Sequence, residues 1–322
     1  MSRPFAPRLR VSSYLSDWMP TGDSRVSVAG YFSGGDDNPS FLSRIDKIAF
    51  PSDTKSTLSA TLTSARRDTA SMSNSGVAGY VGGGNTGSFQ NNIDKITFPA
   101  DSKTTLAAVL TSINYIFAGM ANYGVAGYFG GGYDGVAPIS GIDKITFPAD
   151  TKSTLSATLT SGRYMLAAMS NFGVAGYFAG GLDVGANFLN GIDKIAFPAD
   201  TKTTLSATLS QGTIRMAGMA NFGVAGYFGG GDTSAPIIAT IDKVTFPADT
   251  KSTLAATLSA TRRFLGGFAD SGVAGYFGGG GQPTIVDIIQ KVAFPADTIT
   301  TLAATLTTVN SGVTGMSNEG SF

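Results

Sequence analysis

A pattern of apolar and polar positions returns six times along the chain. Its clearest segment reads IDKITF, where Ile, Ile and Phe alternate with Asp, Lys and Thr. A period of two residues predicts a strand with one face buried. Upstream lies GVAGYFGGG, whose alternation of Val, Gly, Phe and small residues suits a strand in a tightly packed sheet. Its terminal glycines would supply positive φ or close backbone approach. Before it come a short run of small and large residues, such as 70–73 (ASMS) or 167–170 (AAMS), and a turn. The turn is NSG at Asn74, NYG at Asn122, NFG at Asn171 and Asn221, and DSG at Asp270. Asn or Asp followed closely by Gly between β-like runs marks a hairpin. After IDKITF, the proline and aspartate of FPADT predict a type I-like turn. The Thr-rich alternating TLSATLTS then predicts a fourth strand. No segment sustains a 3.6-residue apolar period.

The VAGY motif starts at Val28, Val77, Val125, Val174, Val224 and Val273, a spacing of 48 to 50 residues. Units of this size cannot each bury a face alone and must stack into one body. Four short strands per unit and six units predict an all-β chain, a six-bladed β-propeller of four-stranded blades. The ends support closure. Residues 312–318 (GVTGMSN) align with the first segment of a unit, whereas the first unit, beginning near Val26, lacks one. Pairing of 312–317 with 26–32 would close the ring and suppress free edges between the chain ends. Residues 25–322 are therefore expected to form the propeller, with 1–24 outside it as an arm. That arm carries Arg3, Arg8, Arg10, Tyr14 and the single tryptophan, Trp18. It is expected to be either a loosely ordered terminus or a docking arm, with Tyr14 and Trp18 as anchors and the arginines facing acidic partner groups.

Composition narrows the function. The chain is 42% apolar, with 21 Phe and 11 Tyr, so a sizeable core is available. Its formal charge is zero and only 14% of residues are charged, which argues against nucleic-acid or anionic-membrane binding. No run approaches the roughly 18 apolar residues of a spanning helix, and the first residues lack the apolar core of a signal peptide. Cys and His are absent. Serine–histidine and cysteine–histidine catalysis and the usual zinc and copper sites are thereby excluded, and neither enzymatic activity nor a cofactor is expected. Asp46, Asp94, Asp143, Asp193 and Asp242 recur once per unit beside Lys47, Lys95, Lys144, Lys194 and Lys243. Such repetition suits strand-end hydrogen bonding and charge balance rather than a catalytic acid. The glycine clusters lack the GK[ST] of a phosphate loop and lie between strands. Met72, Met120, Met169, Met219 and Met316, with Phe268 in the sixth place, suit adaptable packing near the hub better than a thioether metal ring.

Several motifs resemble kelch repeats. Tyr-Phe-Gly-Gly at 128–131 and YFAGG at 177–181 look like the kelch double-glycine strand end, and IDKITFPADT is similar to the third strand with its aspartate turn. Arg66, Arg163 and Arg262 sit near the kelch arginine position, replaced elsewhere by Asn114, Thr213 and Asn310. The kelch tryptophan is missing, with Leu58, Leu106 and Leu155 in its approximate place. The resemblance covers 26–318 and implies the propeller, not a function. The one enzymatic kelch precedent, a copper radical oxidase, needs Cys and His. More narrowly, the GYFGGG…IDKITFPADT array resembles arrays of phages, including those of cyanobacteria. That resemblance implies a virion structural or fibre protein.

Differences between units point to the surface that acts. The connection from the glycines to IDK reads DDNPSFLSR, NTGSFQNN, YDGVAPISG, LDVGANFLNG, DTSAPIIAT and GQPTIVDII, between strands that barely change. These loops should emerge on one side of the disc. Their Phe41, Phe89, Tyr133 and Phe188 with Asp134, Asp183 and Asp232 are the candidate binding residues, suited to glycan or protein contact. A second variable set, Arg66-Arg67, Asn114-Tyr115, Arg163-Tyr164 and Arg262-Arg263, follows the outer strand. The expected function is a non-enzymatic structural or binding component of a phage particle (tail fibre, baseplate or capsid-associated), located in the virion. It would dock to other virion proteins through the arm and present its loops to a host-surface glycan or protein or to a neighbouring subunit. The alternative is a bacterial kelch-like interaction or adhesion module, at the cell surface or in the cytoplasm.

Overall fold

A computed structural model of the chain describes residues 28–281 and 283–319, which form six four-stranded antiparallel sheets. The arm residues Arg3, Arg8, Arg10, Tyr14 and Trp18 lie outside the described residues. Blade two shows the unit: Ala70–Asn74, Ala78–Gly82, Ile93–Thr97 and Ser102–Thr105, from the axis outward. The six inner strands pack against one another in blade order and return to the start, so the sheets form a closed ring. Closure uses the last strand, Thr314–Asn318, which pairs with Ala29–Ser33 in blade one, Ala29 opposite Asn318 and Ser33 opposite Thr314. The pairing expected of 312–317 with 26–32 is therefore present, beginning two to three residues further along the chain.

Two local expectations differ. The fourth strand of blade one is Thr54–Thr57, so most of TLSATLTS lies beyond the paired residues. The third strand limits it, because Ile45–Ala49 is five residues long and its pairing reaches only Asp46 opposite Thr57. Where the third strand begins earlier, at Ile288 in blade six, the fourth extends over Thr298–Thr305. The FPADT turn is not type I-like. Its Phe–Pro bond is cis in all six units, and the following Asp stands at positive φ, 54° to 57°.

Adjacent blades interlock through side chains set into glycines. A Cβ on Gly127 would lie 2.0 Å from the Met72 sulfur of the preceding blade. Met120 meets Gly176 in the same way, Met169 meets Gly226, Met219 meets Gly275, Met316 meets Gly79, and Phe268 fills the sixth position over Gly30. The VAGY glycine is thus a seat for the neighbouring inner strand, and the methionines are blade-to-blade packing. A second contact recurs further out. The Tyr31 hydroxyl donates to Asp101 of the next blade at 2.9 Å, and Lys47 donates to the same carboxylate at 2.6 Å. The Tyr31 ring stacks on Phe98 at 5.0 Å, with the Lys47 ammonium 5.5 Å from its centre. Burial, then the Asp101 charge, raise the Tyr31 pKa well above that of a free phenol.

The strand connections define two faces. The inner hairpins and the FPADT turns share one face, joined by bonds such as Phe147 N–H to Val125 O at 2.9 Å. Here each hairpin Asn side chain accepts from the next blade, as Asn74 does from Gly124 N–H at 2.7 Å. Val28 and Glu319 both lie on this hairpin face, bonded to Asn318 O and Ser75 Oγ at 3.1 and 2.8 Å. The opposite face carries the variable loops and the connections between blades.

Candidate functional site

The variable face is built row by row. After the second strand, two glycines at positive φ (Gly83 and Gly84 in blade two) turn the chain outward. The next residue, Asn85, then bridges both to Arg67 of the incoming connection and to Phe89 of its own loop. The other blades repeat this: Tyr115–Tyr133–Pro138, Tyr164–Leu182–Phe188, Ile214–Asp232–Ile237, Arg263–Gly281–Ile285 and Ser311–Asp36–Phe41. The two variable sets of the sequence are therefore one surface. Beneath it three of the six rows carry a buried arginine, and in two of them it meets the recurrent aspartate: Arg66 donates to Asp94 at 2.8 Å and Arg163 to Asp193 at 2.5 Å. Asp94 also accepts from Thr63 N–H and from the Thr63 and Thr105 hydroxyls. Burial opposes its ionisation, but these donors and Arg66 win and hold the carboxyl below its ordinary pKa. The recurrent aspartates are thus structural.

The rows divide the face into two sectors. In blades two to four, Phe89 stacks on Tyr115 at 4.0 Å, Tyr115 meets Tyr133 edge-on at 5.9 Å, and Tyr133 meets Tyr164 at 5.4 Å. The rings are half-buried, and beside them Val136 and Val184 stand 86% and 85% exposed at the loop tips. From blade five round to blade two the sector is charged. Asp232 accepts from Arg215 at 2.5 Å and Arg263 at 3.0 Å, and Arg67 reaches Asp36 at 2.9 Å.

The predicted binding residues take unequal roles. Phe41 lies under the Arg67 guanidinium at 5.3 Å, and Phe89 and Tyr133 belong to the aromatic strip. Phe188 bridges Leu182, with its carbonyl against Gly212. Asp134 and Asp183 shape their own loops. Asp134 accepts from Val136 and Ala137 N–H at 2.8 Å, and Asp183 from Gly185 and Asn187 N–H at 2.8 and 2.9 Å. Those backbone bonds lower the Asp134 pKa. Asp232 is buried under its two arginines.

The sequence reading missed the residues nearest the axis. Asp68, Ile116, Met165, Arg215, Phe264 and Gly312 occupy equivalent places in the six connections, all at positive φ between 55° and 65°. Each donates its N–H to the carbonyl of the one before: Ile116 to Asp68 at 2.9 Å, Met165 to Ile116 at 2.7 Å, and so on until Asp68 donates to Gly312 at 2.9 Å. The six bonds close a circle around the mouth of the axis. Asp68 is buried there, 3.4 Å from Arg67, and burial pushes its carboxyl up to about 6. The signal was present in the triplets RRD, NYI, RYM, TIR, RRF and NSG, whose third residue is never repeated.

Among the described residues, no group of three or more His, Cys, Asp or Glu side chains is placed to hold a metal. Comparison of the sequence with protein-family models and with curated proteins gives no match. The six-bladed fold is one commonly used for protein interaction.

Proposed function

We propose that the chain is a non-enzymatic binding component of a phage particle that presents its loop face for recognition. One observation carries this reading. The side chains that differ between blades gather on one face, whereas the chain enters at Val28 and reaches Glu319 on the other. A disc held from the hairpin side would present six dissimilar rows outward, to a host-surface glycan or protein or to an adjoining subunit. Half-buried tyrosines beside exposed valines supply rigid, amphipathic contact area of the kind such surfaces use. The virion as location, with assembly in the host cytoplasm, is supported by the resemblance of the repeat to phage arrays. Docking to other virion proteins is assigned to residues 1–24.

The test is made on particles. Mass spectrometry of purified phage particles and labelling with an antibody to the propeller should find the protein at fixed copy number. Deleting residues 1–24 should abolish its incorporation while the disc still folds. A protein found only in the host cell or on its surface would replace this reading with that of a bacterial interaction module.

A further inference from the structure

The circle of residues at the axis carries a second step, which rests on the loop face being the recognition face. The repeat places its backbone at positive φ at several recurring positions. The hairpin Gly, the two glycines after the second strand and the turn Asp are uniform among the described residues. Those are the residue types that adopt this region with least strain. The axial position breaks the rule. Gly312 shows that glycine fits the circle, yet the other five blades carry Asp68, Ile116, Met165, Arg215 and Phe264, each different. A β-branched residue such as Ile116, at φ 55°, is a marked exception. Strain of this kind persists where the surroundings fix it, and it clusters at sites that hold ligands. The hydrogen-bonded circle fixes it here.

The side chains surround a recess of about 70 Å³ on the axis. Pockets for whole small molecules run about 300–1,000 Å³, so this one takes a single projecting group. Its walls include Ile116, Met165 and Phe264, which favour an apolar knob. Asp68, paired with Arg67, and Arg215, paired with Asp232, lie in blades two and five, on opposite sides of the axis, and give the rim two polar ends. No two positions are alike, so the seat offers a single chain one orientation rather than six. We propose that this crown is the docking seat for an extended segment of a protein partner, which inserts one aliphatic or methionine side chain on the axis and runs from Asp68 to Arg215.

The probe is a displayed random-peptide library, selected on the wild-type protein. Enriched peptides are then measured against three variants: Ile116→Gly with Met165→Gly, Asp68→Asn, and the loop-tip pair Val136→Asp with Val184→Asp. Enriched peptides should share one aliphatic or Met position. Their affinity should fall about tenfold or more in the glycine pair, the loss expected when an interface anchor is removed. That pair should stay folded, because glycine suits the backbone there. Asp68→Asn, which alters the rim without reshaping the backbone, should weaken binding as well. Peptides that bind the glycine pair and Asp68→Asn as tightly as wild type overturn the crown. If those peptides are lost on the loop-tip variant, the face remains the recognition face. Equal binding to all three variants, or no enrichment, removes both.

Discussion

Tyr276, in the sixth blade, donates its hydroxyl to Asp53 of the first at 2.7 Å, and its ring lies 5.3 Å from that of Phe50. Tyr128 and Asp200 make the same bond between blades three and four, also at 2.7 Å, with Phe197 at 5.2 Å. The seam between the two ends of the propeller is therefore held by the same contact as an internal junction. Tyr276→Phe and Tyr128→Phe should each lower stability by about 1 kcal/mol, the usual net worth of one hydrogen bond. Urea unfolding measures both. A silent Tyr276→Phe beside a damaging Tyr128→Phe would mean that the seam is already open in solution.

The buried arginines differ in what they face. Arg66 pairs with the fully buried carboxylate of Asp94, whereas Arg262 meets the neutral amide of Gln290. Lacking a carboxylate, Arg262 has its pKa lowered by burial to about 10. Arg66→Met strands a buried charge and should lower stability by about 3–5 kcal/mol. Arg262→Met strands an amide oxygen, for about 1–3 kcal/mol. Denaturant midpoints would show the difference, and equal losses would contradict it.

Two sets of carboxyls give opposite pH dependences. Burial raises Asp68 to about 6 from 3.8, so its charged form opposes folding above that pH and the penalty fades as pH falls toward about 4. Asp94 and Asp193 are held below their ordinary values, so their stabilisation is present above about pH 4 and is lost as pH falls through their folded pKa. The wild type should thus be more stable near pH 5 than at about pH 7.5, then weaken in stronger acid. Asp68→Asn should flatten the first change and leave the second. Urea midpoints across this range decide it.

Glycine roles separate cleanly in blade three. Gly127→Ala drives a methyl into the Met72 sulfur and should destabilise by about 1–3 kcal/mol through overpacking. Gly124, at φ 72° with open space around it, should lose only the penalty of a left-handed alanine, about 1–2 kcal/mol. Adding Met72→Ala should relieve the first variant and not the second, as a double-mutant cycle would show.

Much of this fold could be read from residues alone. The six VAGY motifs, the period-two IDKITF and the surplus segment at 312–318 sufficed for blade number and closure, because period and turn chemistry are local. The cis Phe–Pro turns and the early fourth strand were not legible. The second depends on how far the third strand extends, which the fourth strand's own residues do not record. The aromatic strip was half visible, in Phe89 and Tyr133. Tyr115 and Tyr164 stood in what looked like a separate set until the bridges Tyr115–Tyr133 and Tyr164–Leu182 joined them. The axial circle was invisible as such, since Asp68 and Phe264 become neighbours of one mouth only when the ring closes.

The central claim is that the loop face acts and the hairpin face is held. Because the chain has no cysteine, single thiols can report on each face. Val136→Cys places one at a loop tip, and Val125→Cys places one in a hairpin where the residue is 41% exposed. Both should react with a maleimide in the free protein. In the intact particle, Val136→Cys should remain reactive and Val125→Cys should be protected. Protection of Val136→Cys with free reaction at Val125→Cys would contradict the account.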